Sequence, residues 1–178
     1  MDRILKIHFD KFRDRGELPP ELKENSECKG MILFNDADKM KIWRDNLKGI
    51  SYEDDKGNIL HGAVDNILRR GNKLIVLDYK TRGFELKEDT HEHYQDQLNI
   101  YNFLLRKNGY ETEDFSFLLF YIPKEVTETG EVIFNTTLKR MNVSATNAER
   151  LWKDALELLG EDCPKERCDW CRWVENIF

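Results

Sequence analysis

The chain has 178 residues, enough for one domain with a sizeable buried core. Hydrophobic residues make up 40% and charged residues 35%, a globular rather than disordered composition, and no apolar run nears the roughly 20 residues a membrane helix needs. The net charge of −6 argues against a histone-like binder held to nucleic acid by bulk charge, although a local basic patch can still hold phosphates.

The opening residues, Met1-Asp2-Arg3-Ile4-Leu5-Lys6, carry no apolar signal-peptide core, so a cytoplasmic location is expected. From Asp2 to Arg15, the apolar residues Ile4, Leu5, Ile7, Phe9 and Phe12 fit an amphipathic helix, closed by Gly16. Pro19-Pro20 turn the chain into a short segment around Glu21–Asn25. Asn35 or Asp36 is placed to cap a helix running to about Asn46.

The middle of the chain alternates like strands. Ile50-Ser51-Tyr52-Glu53 leads into a turn at Asp54–Asn58, and a second strand is expected from Ile59 to Leu68. After a turn at Arg70-Gly71-Asn72, the run Lys73 to Lys80 is almost continuously apolar, which suits a strand buried on both faces. These three strands read as an antiparallel meander. A polar loop, Gly83 to Thr90, separates them from a helix over His91 to Lys107, with Leu98, Tyr101, Leu104 and Leu105 on one face. Asn108-Gly109 stops that helix. Two more strands are expected, Phe115 to Ile122 and Glu131 to Lys139, then a helix from about Ala145 to Leu159 and a cysteine-rich tail. No internal repeat is visible. The phenylalanines Phe115, Phe117, Phe120 and Phe134 read as core rather than as base-stacking residues.

Three pieces of this layout carry chemistry. Gly62-Ala63-Val64-Asp65 lies in the second strand, Asp78-Tyr79-Lys80-Thr81 ends the third, and Gln97 and Tyr101 lie in the helix that follows. Carboxylates on adjacent antiparallel strands meet at one cation when the register sets them opposite each other. Mg²⁺ takes oxygen ligands, commonly one or two carboxylates, and such an ion activates water for phosphodiester hydrolysis. Asp78 and Lys80 are two apart on a strand and so share a face, which places an ammonium beside the carboxylate. Gln97 and Tyr101 are four apart on a helix and so share its face. Each piece alone is common; their order and spacing together are informative. The basic residues Arg69, Arg70, Lys73, Lys80 and Arg82 lie close to these pieces in sequence and form a candidate phosphate patch.

On these residues, Gly62–Asp65, Asp78–Thr81 and Gln97–Tyr101, the chain resembles the RecB-like branch of the PD-(D/E)XK nucleases, over roughly residues 48 to 175. That branch includes the nuclease domains of recombination helicases and the CRISPR adaptation nuclease. The resemblance implies an α/β fold of restriction-endonuclease type: a mixed sheet with an antiparallel three-strand meander flanked by helices. It implies one nuclease domain over residues 1–178, with an N-terminal helical segment (1–46), a catalytic core (48–143) and a C-terminal helix with a cysteine-rich tail (145–178). The implied activity is Mg²⁺- or Mn²⁺-dependent cleavage of DNA in repair, recombination or defence, alongside a helicase or related proteins and without a membrane. Asp65, Asp78 and the Tyr79 carbonyl would hold the metal, Lys80 would be the catalytic lysine, and Gln97 and Tyr101 would form the helix motif. The family also carries a histidine or glutamate on a helix before the first strand. The candidates here are His8, Glu21 and Glu24, with His61 a further one because it lies four residues before Asp65 on the expected strand. The alternative is a nucleic-acid-binding or assembly domain that keeps the nuclease fold without activity.

Cys28 precedes the core, and Cys163, Cys168 and Cys171 close the chain. Three cysteines so near one another suggest a metal site in a reducing compartment. RecB-like relatives often staple their ends with an iron–sulfur cluster, so a 4Fe-4S cluster or Zn²⁺ is expected at these four residues, against the plainer reading of a metal-free packed remnant. Many such relatives place a Cys-x-x-Cys pair on an additional N-terminal helix, in which case Cys168 and Cys171 would be half of a site whose other half precedes this chain. His91 and His93 read as solvated residues at a helix start. The sequons at Asn135 and Asn142 carry no meaning in the cytoplasm.

Overall fold

The structure is a computed structural model describing residues 1–162, 166 and 168–175. Its centre is a five-stranded mixed sheet in the order β1-β4-β5-β6-β7. The strands are β1 (Ile32–Leu33), β4 (Asn66–Arg70), β5 (Lys73–Thr81), β6 (Phe115–Val126) and β7 (Val132–Asn142). A separate two-stranded sheet pairs β2 (Ile50–Glu53) with β3 (Ile59–Gly62). The helices are α1 (Asp2–Arg15), α2 (Pro20–Lys23), α3 (Ala37–Trp43), α4 (Gln95–Lys107), α5 (Ala145–Gly160) and α6 (Asp169–Glu175). Among the described residues, no helix is long and apolar enough to cross a membrane.

Strands β5 and β6 are parallel, and all the other pairs are antiparallel. A parallel neighbour requires a crossover, and α4 provides it. Both central strands are buried on each face, as their unbroken apolar runs demand. One face packs Val76, Leu118 and Phe120 against Leu98, Leu104 and Leu105 of α4, with Met40 and Trp43 of α3 alongside. The other packs Ile75, Leu77, Tyr79, Phe117 and Leu119 against Leu5 and Phe9 of α1 and Leu22 of α2. The phenylalanines Phe115, Phe117 and Phe120 are therefore core residues. Side-chain caps start two helices: Asp36 accepts from the Lys39 N–H at α3, and Ser144 accepts from the Asn147 N–H at α5.

The meander differs from expectation at one point. The strand expected over residues 59–68 is two strands, β3 and β4, which belong to different sheets. Ala63, Val64 and Asp65 link them. In that link the Val64 N–H donates to the Trp43 carbonyl at the end of α3 rather than to a strand.

Candidate active site

Asp65 closes the link and Asp78 lies deep in β5. The β4–β5 register pairs Asn66 with Leu77, and one further step sets Asp65 opposite Asp78. Asp65 Oδ2 accepts from the Tyr79 N–H at 2.9 Å, which pins this carboxylate to β5. Asp78 is only 2% exposed. Its carboxyl pKa is raised to about 6, first by burial and then by the Asp65 charge, while Lys80 and Lys6 pull it back. Asp78 Oδ2 is buried and has no hydrogen-bond partner of proper geometry among the described residues. The Lys80 ammonium lies 2.5 Å from it as an ion pair.

Lys80 is held on its other side by the helix. Its ammonium donates to Gln97 Oε1 at 3.1 Å, and Gln97 Nε2 donates in turn to the Tyr101 hydroxyl at 2.7 Å. The same ammonium lies 4.4 Å from the centre of the Tyr94 ring, a cation–π contact. Thus Gln97 is fixed at both ends of its amide, and one helical face positions the lysine. Burial raises the Tyr101 phenol to about 12, so it stays a neutral hydroxyl. Gly62 makes room for that ring: a Cβ there would sit 2.7 Å from Tyr101 Cε1. The Gly62–Asp65 and Gln97–Tyr101 motifs are therefore in physical contact.

Two site residues escaped sequence reasoning. Lys6 of α1 places its ammonium 3.4 Å from Asp65 Oδ1 and 3.0 Å from Asp2. Arg44, which caps α3, donates from Nε to the Asp65 carbonyl at 2.7 Å. Arg44 also grips both Asp10 oxygens, at 2.8 and 2.9 Å. Asp10 is shared with the buried Arg13, which donates to the Phe34 carbonyl at 2.8 Å and to Asn66 Oδ1. Asn66 Nδ2 reaches the Tyr79 hydroxyl at 2.5 Å. Burial, followed by the Arg44 charge, lowers the Arg13 pKa. Asp2, Lys6 and Asp10 recur every four residues along α1. That spacing was visible in the sequence, but it reads equally as the solvated stripe of an amphipathic helix.

Several expected contributors lie elsewhere. His61 is in β3, in the smaller sheet, and its ring meets the Asn46 carbonyl at 2.9 Å. The strand break removes the shared face on which its link to Asp65 rested. His8 and Glu21 pair at 3.0 Å, and Glu21 accepts from the Tyr121 hydroxyl at 2.8 Å. Tyr121 belongs to the α1–α2 side of the sheet, whereas the neighbours of Asp78 and Lys80 on β6, Leu118 and Phe120, belong to the α4 side. Glu24 is exposed beyond α2. The proposed basic patch divides as well. Arg69, Arg70 and Lys73 cluster at the β4–β5 turn, about 13–17 Å from Asp65 at the usual rise per strand residue. There Arg70 and Lys73 pair with Glu113.

The cysteines do not form one group in the described structure. Cys28 is buried in the α1–α2 core, and burial raises its thiol to about 11, so it is protonated at neutral pH. Cys168 and Cys171 lie 3.6 Å apart, sulfur to sulfur. Hydrogen bonds from Cys171 lower the Cys168 pKa. Cys163 lies outside the described residues. Among the described residues no three or more His, Cys, Asp or Glu side chains gather as a metal cluster.

The pair Asp65 and Asp78 nonetheless fits a hard divalent cation. Mg²⁺ commonly takes only one or two protein carboxylates and keeps its waters. A buried carboxylate that has the Lys80 ammonium against one oxygen and a second carboxylate beside it is a donor set that such an ion would complete.

No curated protein matches the chain as a relative. The family model of the PD-(D/E)XK nuclease superfamily matches residues 17–175, which takes in both carboxylates, the lysine and the helix motif.

Proposed function

The chain belongs to the PD-(D/E)XK nuclease superfamily, and on that premise we propose that it is a metal-dependent DNA nuclease of the RecB-like branch. The observation that carries this reading is the convergence of Asp65, Asp78 and Lys80 at one end of β5, with Gln97 and Tyr101 locking the lysine. A binding module has no need to bury a carboxylate against a second one and a lysine at that cost. Asp65, Asp78 and the Tyr79 carbonyl are the groups that would hold Mg²⁺ or Mn²⁺. The Tyr79 N–H already meets Asp65, and in a paired strand the carbonyl of the same residue points to the same side. When bound, the cation supplies charge neutralisation at the phosphate and an acidified water.

The protein's own groups do the remainder. Lys80, flanked by Asp78 and Gln97, retains a donor for a phosphate oxygen and stabilises charge as the phosphodiester breaks. Gln97 and Tyr101 act through Lys80 as positioning residues. Arg44 and the Tyr79 N–H hold the Asp65 backbone and side chain respectively, so that the carboxylate is oriented before substrate arrives. A nuclease of this kind suits repair, recombination or defence, alongside a helicase or similar nucleic-acid machinery.

The test is digestion of plasmid, linear duplex and single-stranded DNA with Mg²⁺ or Mn²⁺. Wild type is expected to cleave, and Asp78→Ala and Lys80→Ala to lose about 100-fold or more in rate, the usual order for losing a group that stabilises developing charge. Wild type as inert as both variants on every substrate and with either metal would replace this reading with that of a non-catalytic domain.

A further inference from the structure

A second feature adjoins Asp65 through Lys6 and Arg44. A cleft of about 470 Å³ opens between α1 and α3. Its charged lining is Lys6, Arg13, Lys41 and Arg44 against Asp10 and Asp14, four cations against two anions in a chain whose net charge is −6. Arg13 and Arg44 share Asp10, and Lys6 is paired with Asp2 and Asp65, so Lys41 is the cleft cation with no paired acid among the described residues. The cleft adjoins the carboxylates directly: Lys6 contacts the Asp65 side chain and Arg44 contacts its carbonyl. Arg44 Nη2 is buried and has no hydrogen-bond partner among the described residues. Lys41 is exposed and makes no ion pair or hydrogen bond among the described residues. The rival basic group at the β4–β5 turn is distant from the carboxylates and has its own acid, Glu113.

We propose that this α1–α3 cleft is the subsite for the nucleic-acid backbone, and that it takes a phosphate next to the one to be cleaved at the Asp65–Asp78 site. This rests on the nuclease reading above and adds a direction to it. The strand passes from Lys80 on the α4 side, across the two carboxylates, to Lys6 and Lys41. Contacts of this kind fix the position of the strand and carry no sequence information, so the subsite serves any sequence. Lys41 is the contact that substrate would engage without breaking an ion pair among the described residues.

The experiment measures binding of the full chain to fluorescently labelled single-stranded and duplex oligonucleotides, by anisotropy across a salt series. Ca²⁺ replaces Mg²⁺ so that the probes stay intact. Lys41→Ala is expected to weaken binding equally for unrelated sequences and to reduce the slope of log affinity against log salt by about one. Lys41→Glu is expected to weaken it further. Lys153→Glu, a charge reversal on α5 away from the cleft, is expected to match wild type. Circular dichroism checks that each variant is folded. An unchanged salt slope in both Lys41 variants overturns the cleft, as does an equal loss in Lys153→Glu. If wild type still cleaves DNA in either case, the nuclease reading survives. Wild type that binds no oligonucleotide at any salt overturns both.

Discussion

At Asp78, burial and the neighbouring Asp65 charge oppose the ionised carboxylate, while Lys80 and Lys6 favour it. The balance puts its pKa at about 6 against an ordinary value of 3.8. A raised folded-state pKa means that the folded protein holds this proton more tightly than the unfolded chain does. The associated stability is fully present below pH 3.8 and is lost as pH rises to about 6, after which the folded protein bears a constant penalty of about 3 kcal/mol. Asp78→Asn removes that penalty but also the partner of Lys80. The variant is therefore expected to stabilise the metal-free protein by about 1–2 kcal/mol at pH 8, with the gain vanishing near pH 4. Thermal unfolding in chelator at the two pH values tests this. A variant less stable than wild type at pH 8 contradicts it. The site thus keeps a costly charge that a divalent cation would relieve.

Among the elements, the contact between β3 and α4 joins the two helix–strand motifs. Gly62 lets the Tyr101 ring lie against the strand end, and that ring sets Gln97, which sets Lys80. Gly62→Ala forces the ring and α4 to shift. A loss of about 1–3 kcal/mol of stability is expected, the usual scale for overpacking. Urea denaturation measures it, and DNA cleavage should fall with it because the lysine loses its fixed partner. Much of this arrangement was legible from spacing. The period of two put Asp78 and Lys80 on one face, and the i, i+4 spacing put Gln97 and Tyr101 on another. The break at residues 63–65 was not legible, because Ala63-Val64-Asp65 continues the alternation of a strand. Its cause is tertiary: the end of α3 takes the Val64 N–H and the Asp65 carbonyl for itself. Lys6 and Arg44 were missed for the same reason. Both come from helices distant in sequence, and no local pattern distinguishes them from solvated charges. His61 was misplaced because its link to Asp65 assumed an unbroken strand.

Across the molecule, the Arg13 network binds the N-terminal helix to the sheet. One guanidinium, 4% exposed, joins α1 to the Phe34 carbonyl, to Asn66 at the start of β4 and, through Asn66, to Tyr79 in β5. Arg13→Met leaves Asp10 with Arg44 alone and takes the donor from the Phe34 carbonyl, while Asn66 Oδ1 keeps only the Ile67 N–H. A loss of about 1–3 kcal/mol is expected, the scale for leaving buried polar groups without a partner, since the half-exposed Asp10 keeps Arg44, and a urea titration that moves by less than about 0.5 kcal/mol contradicts it. The three-residue link between β3 and β4 acts at the same scale. It works as a spacer of fixed length between two hairpins that belong to different sheets. One residue more or fewer would either carry Asp65 out of line with Asp78 or turn β4 over, exchanging Ile67 and Leu68 between the two cores. The turn at residues 54–58 bears no such constraint. Changes of length are thus tolerable at the tip of the small hairpin and prohibited at its root, where counting residues and placing the carboxylate are the same requirement.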